Sequence, residues 1–336
     1  MIPARTALRF GARFLQRRAP TPRPLACSLL LTPRCNLDCL GCSYRETFGG
    51  THDEPELDTA GMSRIIRALG RSGLPVLIMA GGEPMLRADL FTLAARARDA
   101  GMFTVLFTNA TLIDRPGARR IRTLFHRCLV SVDGTEQDND AVRGPGSYRL
   151  AAQGIRTLAA QRGRARVIAA CVVNKWNVLR LGDYIEAMRE LGVHGVKLQA
   201  NFLPHMHPSP EDAAHGLAAV LAAKRAHPGF VMGSPGFFHS MADYFAGRHT
   251  GQCFAAHMGH IVISPSGKYS LCCYRPTELD TVAAPADLDR TTPAQRSALV
   301  RGCPGCHRYD EDVLHALFRG NLRHVRPRAL AENLRI

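Results

Sequence analysis

The sequence predicts an α/β protein built as a partial (β/α)6 barrel. Two observations carry that expectation. Short apolar runs of strand length recur along residues 26–200, each separated from the next by an amphipathic helical stretch; this alternation gives a parallel sheet covered by helices. The runs also end in cysteine, glycine, asparagine or aspartate, and in such a barrel the loops that follow the strands hold the chemistry. A chain of 336 residues, 46% hydrophobic and 21% charged, can bury one large core and a smaller one.

The elements follow in order. "ACSLLLTP" (26–33) reads as the first strand, with a three-cysteine loop directly behind it. "LDTAGMSRIIRALGRSG" (57–73) is a helix capped by Asp58 or Thr59 and stopped by Gly73. "PVLIMAGGEP" (75–84) is a buried strand ending in glycines. The pattern continues with a helix near 87–100, strand "FTVLFTNA", a helix near 115–125, strand "CLVSVDG", a helix near 147–161, strand "RVIAACVVN", a helix near 178–191 and strand "GVKLQA". Together these make a partial TIM-like barrel. Two further helices, near 210–226 and 236–247, bridge it to the last quarter of the chain.

Composition narrows the function. Lys+Arg 43 against Asp+Glu 28 gives +15, which suits a nucleic-acid partner. The surplus is scattered arginine, however, and with 7% aromatic residues no stacking platform is visible. Nucleic acid is therefore not the expected partner. The start, "MIPARTALRFGARFLQRRAPTPRP", is a basic arm whose apolar positions are broken by Arg5, Arg9 and Arg13, and peripheral membrane contact through it stays open. No stretch approaches the ~20 apolar residues of a membrane span. The expected location is cytoplasmic, where the eleven cysteines are reduced and serve better as metal ligands than as disulfides.

"TPRCNLDCLGCSYRE" (32–46) places Cys35, Cys39 and Cys42 in one compact C-x3-C-x2-C loop. A closed zinc site takes four ligands. Three thiolates suit an iron–sulfur cluster in which one iron lacks a protein ligand and can bind a substrate or cofactor.

On this loop the sequence resembles the radical S-adenosylmethionine (SAM) superfamily, over about residues 26–310. The resemblance implies that Cys35, Cys39 and Cys42 hold a [4Fe–4S] cluster whose open iron chelates SAM, and that one electron from a flavodoxin- or ferredoxin-like reductant cleaves SAM to a 5′-deoxyadenosyl radical. One departure is Gly41, where relatives carry a bulky residue; the resemblance leaves adenine packing to another group, such as Tyr44. "GGEP" (Gly81, Gly82, Glu83, Pro84) matches the second motif of the superfamily, whose carboxylate or exposed carbonyl would accept from the SAM ammonium. "SVDGTEQDNDAVRGPGSY" resembles the segment in which Ser131 and Arg143 would grip the SAM carboxylate; read alone, it is a surface turn with a solvated arginine. Asn109 is a weaker cofactor-binding candidate, as is Asn174, and either could cap the next helix.

Cys27, Cys128 and Cys171 fall in apolar strand runs and read as inert. Cys253, Cys272, Cys273, Cys303 and Cys306 gather near the end, where "CFAAHMGHIVISPSGKYSLCC" suggests a β-hairpin turning at Pro265–Gly267 and "CPGC" a knuckle. The arrangement is similar to the twitch, or half-SPASM, extension of some radical SAM enzymes. That likeness implies a second [4Fe–4S] cluster on Cys253, Cys272, Cys303 and Cys306, with Cys273 spare. Four cysteines in a knuckle also fit zinc. His205 and His207, in a proline-rich loop, read as polar loop residues rather than metal ligands.

The expected organisation is a basic arm (1–25), a radical SAM core barrel (26–205), a helical bridge (206–250), an auxiliary-cluster domain (251–320) and a tail (321–336). The resemblance implies hydrogen abstraction from a C–H bond, ending in net oxidation or a cross-link in natural-product, peptide or sugar modification. Radical addition to a lipid or isoprenoid is the runner-up. A zinc-binding or RNA-interacting protein is the alternative of another class.

Overall fold

The computed structural model describes residues 24–48, 55–248, 260–272 and 280–281, with isolated positions between 6 and 12. Six strands follow one another in parallel: β1 (Ala26–Leu30), β2 (Val76–Ala80), β3 (Phe103–Thr108), β4 (Arg127–Ser131), β5 (Arg166–Val173) and β6 (Val196–Ala200). Helices α1 (Ser43–Phe48), α2 (Thr59–Arg71), α3 (Leu90–Asp99), α4 (Arg115–Leu124), α5 (Glu136–Arg143), α6 (Ser147–Ala159) and α7 (Leu181–Glu190) lie between them, and α8 (Pro210–Ala226) and α9 (Pro235–Phe245) follow β6. A last segment adds β7 (His260–Ile263), β8 (Lys268–Ser270) and β9 (Asp280–Thr281). The sheet is open, in the order β6-β5-β4-β3-β2-β1-β7-β8-β9. The partial barrel read from the sequence is therefore the fold.

Local chemistry explains the elements. The Asp58 side chain caps α2 by accepting from Gly61 N, and Met62, Ile65, Ile66 and Leu69, spaced along one helical face, are buried against the sheet. Burial alternates along β2 and β6, so one face of each strand packs under the helices and the other faces the lumen. Phe103, Val105, Leu129 and Ile168 form a separate apolar cluster on that inner side. Register sets Ser131, Ala170 and Lys197 side by side across β4, β5 and β6.

The hairpin turning at Pro265–Gly267 is present, with Val262 opposite Ser270. β7 also pairs in parallel with β1, Ala26 against His260, so the hairpin extends the barrel sheet. At the opposite edge Val231 bridges to Val196. Helix α5 is an element the sequence reading lacks. Its polar sequence has no apolar period, and its start is held by Thr135 N and Oγ1 donating to Asp138 at 3.3 and 2.8 Å. Arg9 of the basic arm donates to the carbonyls of Ala100 and Gly101 at the end of α3. Among the described residues no helix is long and apolar enough to cross a membrane.

Candidate cluster and cofactor site

A cavity of about 320 Å³ opens at the C-terminal ends of the strands. Its lining includes Cys35, Cys39, Cys42, Gly81, Gly82, Glu83, Asn109, Ser131, Arg143 and Asn174. Pro84 does not line it; this residue is buried and begins a 3-10 turn. The sequence motifs, scattered over 140 residues of chain, thus meet in one place, apart from that proline.

The cysteine loop is fixed at its stem. Leu31 N donates to Ala80 O, Gly82 N to Thr32 O and Glu83 N to Arg34 O, each at 2.8 Å, which prolongs the β1–β2 ladder beyond the strands. A Cβ at Gly81 would lie 2.5 Å from Thr32 O, and one at Gly82 would lie 2.2 Å from Arg34 O. The close approach that these glycines permit is therefore to the backbone of the cysteine loop. Arg87, almost fully buried, adds bonds to Leu31 O at 2.8 Å and Leu57 O at 3.0 Å and pairs with Asp89.

The far end of the loop is held as well. Leu40 N donates to Val142 O at 2.7 Å, just before the end of α5. Gly41 has φ +64°, and a Cβ there would lie 2.9 Å from Met206 Cε. Met206 and Leu203, from the loop after β6, thus press on the position where a bulky residue is missing. Tyr44 packs with Leu30 and Val262 beside the cavity.

Burial raises the Cys35 thiol, and it pushes Cys39 to about 11 against the opposing charge of Arg143. Thiolates in such surroundings need a metal's charge to form. Among the described residues no three His, Cys, Asp or Glu side chains converge as ligands of one metal ion would. Three thiols lining one cavity suit a cluster in which each of three irons takes one cysteine. The donor set fits the implied [4Fe–4S] group.

Glu83 is 1% exposed and turned inward. It accepts from Thr108 Oγ1 at 2.8 Å, Asn109 N at 2.7 Å and Met85 N at 2.9 Å. Burial drives its acidity down, raising the pKa, while these bonds pull the other way. The carboxylate braces the loops after β2 and β3. Asn109 does not cap a helix, because α4 is capped by Asp114; its amide instead meets Asn36 and Cys35.

On the other wall, Arg143 closes α5 and contacts the buried Asp133 carboxylate through Nε at 2.9 Å and Nη2 at 2.8 Å. Burial opposes the guanidinium's charge, but Asp133 more than offsets it and the pKa rises. Asp133 Oδ1 accepts from Val172 N at 2.7 Å. Arg143 is thus a largely buried, paired arginine and not a solvated one. Ser131 ends β4 in the same wall. Asn174 accepts from Trp176 N and Asn177 N, so it lines the cavity and also organises the next turn.

Asp133, Lys197, Gln199 and Asn201 also line the cavity, and the sequence reading singles out none of them. A capping-box pattern, Thr135 followed by Asp138, marks α5 and so the helix that aims Arg143 back at Asp133; for the β6 residues only the lumen-facing alternation is a signal. His207 Nε2 meets Asn201 O at 2.8 Å, and its ring packs edge-on against Tyr244 and Phe245; His205 receives Lys175 Nζ on its backbone carbonyl. Cys27, Cys128 and Cys171 are buried. Cys272 follows β8 and is half-buried, whereas Cys253, Cys273, Cys303 and Cys306 lie outside the described residues.

Residues 29–188 match the family model described as the radical SAM superfamily. The chain is 35% identical to Fe-coproporphyrin III synthase of Methanosarcina barkeri over 48% of its own length and 40% of that protein. It is 35% identical to pre-heme d1 synthase of Dinoroseobacter shibae over 52% and 42%, and 32% identical to mycofactocin maturase of Mycobacterium tuberculosis over 48% and 41%. The matches thus span less than half the length of these curated relatives. Among solved structures, anSMEcpe with bound AdoMet superposes with TM-score 0.64 at 14% identity, covering 93% of this chain and all of that one. Streptococcus suis SuiB bound to precursor peptide SuiA gives 0.59 at 13% identity, covering 93% and 68%. These two likenesses concern the fold. Residues 29–188 are thus a radical SAM domain.

Proposed function

We propose that the chain is a radical SAM enzyme that removes a hydrogen atom from a substrate C–H bond and carries the substrate to a net oxidation or a cross-link. The observation that supports this reading is the three-cysteine loop sharing one cavity with Gly81–Glu83, Ser131 and Arg143. When bound, a [4Fe–4S] cluster with one thiolate-free iron supplies, with SAM and one electron, the 5′-deoxyadenosyl radical that abstracts hydrogen.

The chain's own residues do the rest. Cys35, Cys39 and Cys42 would hold the cluster. Gly81 and Gly82 lock the cysteine loop against β2, and Glu83 locks both to β3. Backbone carbonyls of the Gly81–Gly82 turn receive the SAM ammonium. Arg143, whose Nε–Nη2 edge is taken by Asp133, offers its other edge to the SAM carboxylate beside Ser131. Asn109 and Asn174 complete the rim. Cys253, Cys272, Cys303 and Cys306 would hold a second cluster, which would supply an acceptor for one electron from the substrate. A flavodoxin- or ferredoxin-like protein supplies the first electron. The curated relatives are named as haem-type synthases and a maturase, and we place the substrate in natural-product, peptide or cofactor modification.

The test is anaerobic reconstitution with iron and sulfide, followed by product analysis after reduction with SAM. About eight irons per chain are expected, about four per cluster, falling to about four when Cys303 and Cys306 are both replaced by Ala. About four irons plus one zinc in the unaltered chain would remove the second cluster from this reading.

A further inference from the structure

We propose that Asn109 donates a side-chain hydrogen bond to the Cys35 sulfur and so raises the reduction potential of the cluster that Cys35 helps to hold; this rests on the functional reading above. Asn109 stands immediately after β3, 7% exposed. Its backbone is fixed by the bond from Asn109 N to Glu83 Oε2 at 2.7 Å. The orientation of its amide follows from its neighbours. Thr111 N is a donor and lies 3.0 Å from one amide atom, so that atom is the oxygen. The nitrogen must then face the other way, where it meets Asn36 Oδ1 at 2.9 Å and Cys35 Sγ at 4.0 Å.

A closed ring holds this arrangement. Thr111 Oγ1 donates to Asn109 Oδ1 at 2.8 Å, and Asn36 Nδ2 donates to Thr111 Oγ1 at 2.8 Å. With Asn109 Nδ2 donating to Asn36 Oδ1, every donor in the ring has its acceptor, and an amide flip would break the ring and leave Thr111 N facing an NH2. Nδ2 carries two protons. One goes to Asn36, and the second is directed at Cys35, at the outer reach of an N–H to sulfur contact.

The consequence is electronic. A reduced cluster carries one more negative charge than an oxidised one, and a donor on a ligating sulfur stabilises the more negative state. Asn109 is accordingly a positioning residue for the electron-accepting step.

The readout is the midpoint potential of the three-cysteine cluster, followed by electron paramagnetic resonance in a redox titration of the full chain. The relevant signal is the one whose shape changes when SAM is added. Asn109→Ala is expected to lower the midpoint with unchanged iron content. Asn36→Ala, which removes the ring but not the donor, is expected to leave it within error. Should Asn109→Ala fail to fold, Asn109→Asp keeps the shape, the Thr111 bonds and the backbone bond while losing the donor, and it is expected to lower the midpoint further because it adds charge. An unshifted midpoint in the Asn109 variant that folds, or an equal shift in Asn36→Ala, overturns the assignment alone. An unaltered chain that takes up no reducible cluster overturns the functional reading and this assignment together.

Discussion

The cavity wall on β1–β3 and the wall on β4–β6 face the same space with different chemistry. The first is made of backbone laid on backbone: three main-chain bonds join Thr32–Arg34 and their flank to Ala80–Glu83, and glycine is required because Cβ atoms would strike carbonyls. The second is held by a charge pair, Asp133 with Arg143. Backbone contact fixes position, as a ligand of several metal atoms requires. Charge pairs fix orientation and polarity, which suits recognition of a zwitterion. Substitutions should therefore damage the two walls in separable ways, in stability and cluster uptake on one side and in ligand affinity on the other.

The largest effect is expected from Asp133→Ala, which leaves Arg143, 16% exposed, without its buried partner. Breaking such a pair costs about 3–5 kcal/mol, to be read as a lower urea midpoint. A loss below about 1 kcal/mol would mean that the second wall is not held by this pair.

Next comes Gly82→Ala. The added carbon meets backbone at 2.2 Å, and relief of such overpacking costs about 1–3 kcal/mol. Iron uptake should fall with it, because the carbonyl in the way belongs to the residue preceding Cys35. Normal iron content in a folded Gly82→Ala protein would break the distinction between the walls.

These two residues also show what the sequence could and could not reveal. The glycines were legible because a motif of fixed spacing follows an apolar run, although what they approach, the cysteine loop itself, required the register of β1 against β2. Asp133 stood inside a quoted motif yet gave no signal of its own, because its meaning comes from α5 turning Arg143 back onto it. Helix α5 has no apolar stripe to announce it. Lys197 and Gln199 face the lumen only because β6 alternates, and Met206 fills the space beside Gly41 only through a tertiary contact. The six-strand order, by contrast, rests on local apolar periodicity and was readable throughout.

Arg143→Lys keeps the charge and loses the fork. Iron content should hold while SAM affinity falls about tenfold, roughly the 1.4 kcal/mol of one charged hydrogen bond, as measured by titration calorimetry on the reconstituted protein. Unchanged affinity would assign Arg143 to Asp133 alone.

The smallest effect belongs to the opposite end of the barrel and serves as a control. His126 Nδ1 accepts from Thr104 N at 3.0 Å, and its ring stacks on Phe103. Burial first, then Arg164 and Arg98, lowers its pKa from 6.5 to about 4. The unfolded chain binds the proton more readily, so this contribution is complete above pH 6.5 and is lost as pH falls through 4. His126→Asn keeps an acceptor near Nδ1, and it should flatten the fall in stability between those pH values without altering iron content. An unchanged slope would show that His126 does not titrate in this way.

The central claim is that the loop at Cys35, Cys39 and Cys42 holds the cluster that cleaves SAM. It is tested most directly by measuring 5′-deoxyadenosine from SAM after anaerobic reconstitution and reduction, in the unaltered chain and in the Cys35→Ala, Cys39→Ala, Cys42→Ala triple variant. The account predicts steady formation in the first and none in the second, with about four irons retained there by the other cysteines. Formation of 5′-deoxyadenosine by the triple variant would contradict it.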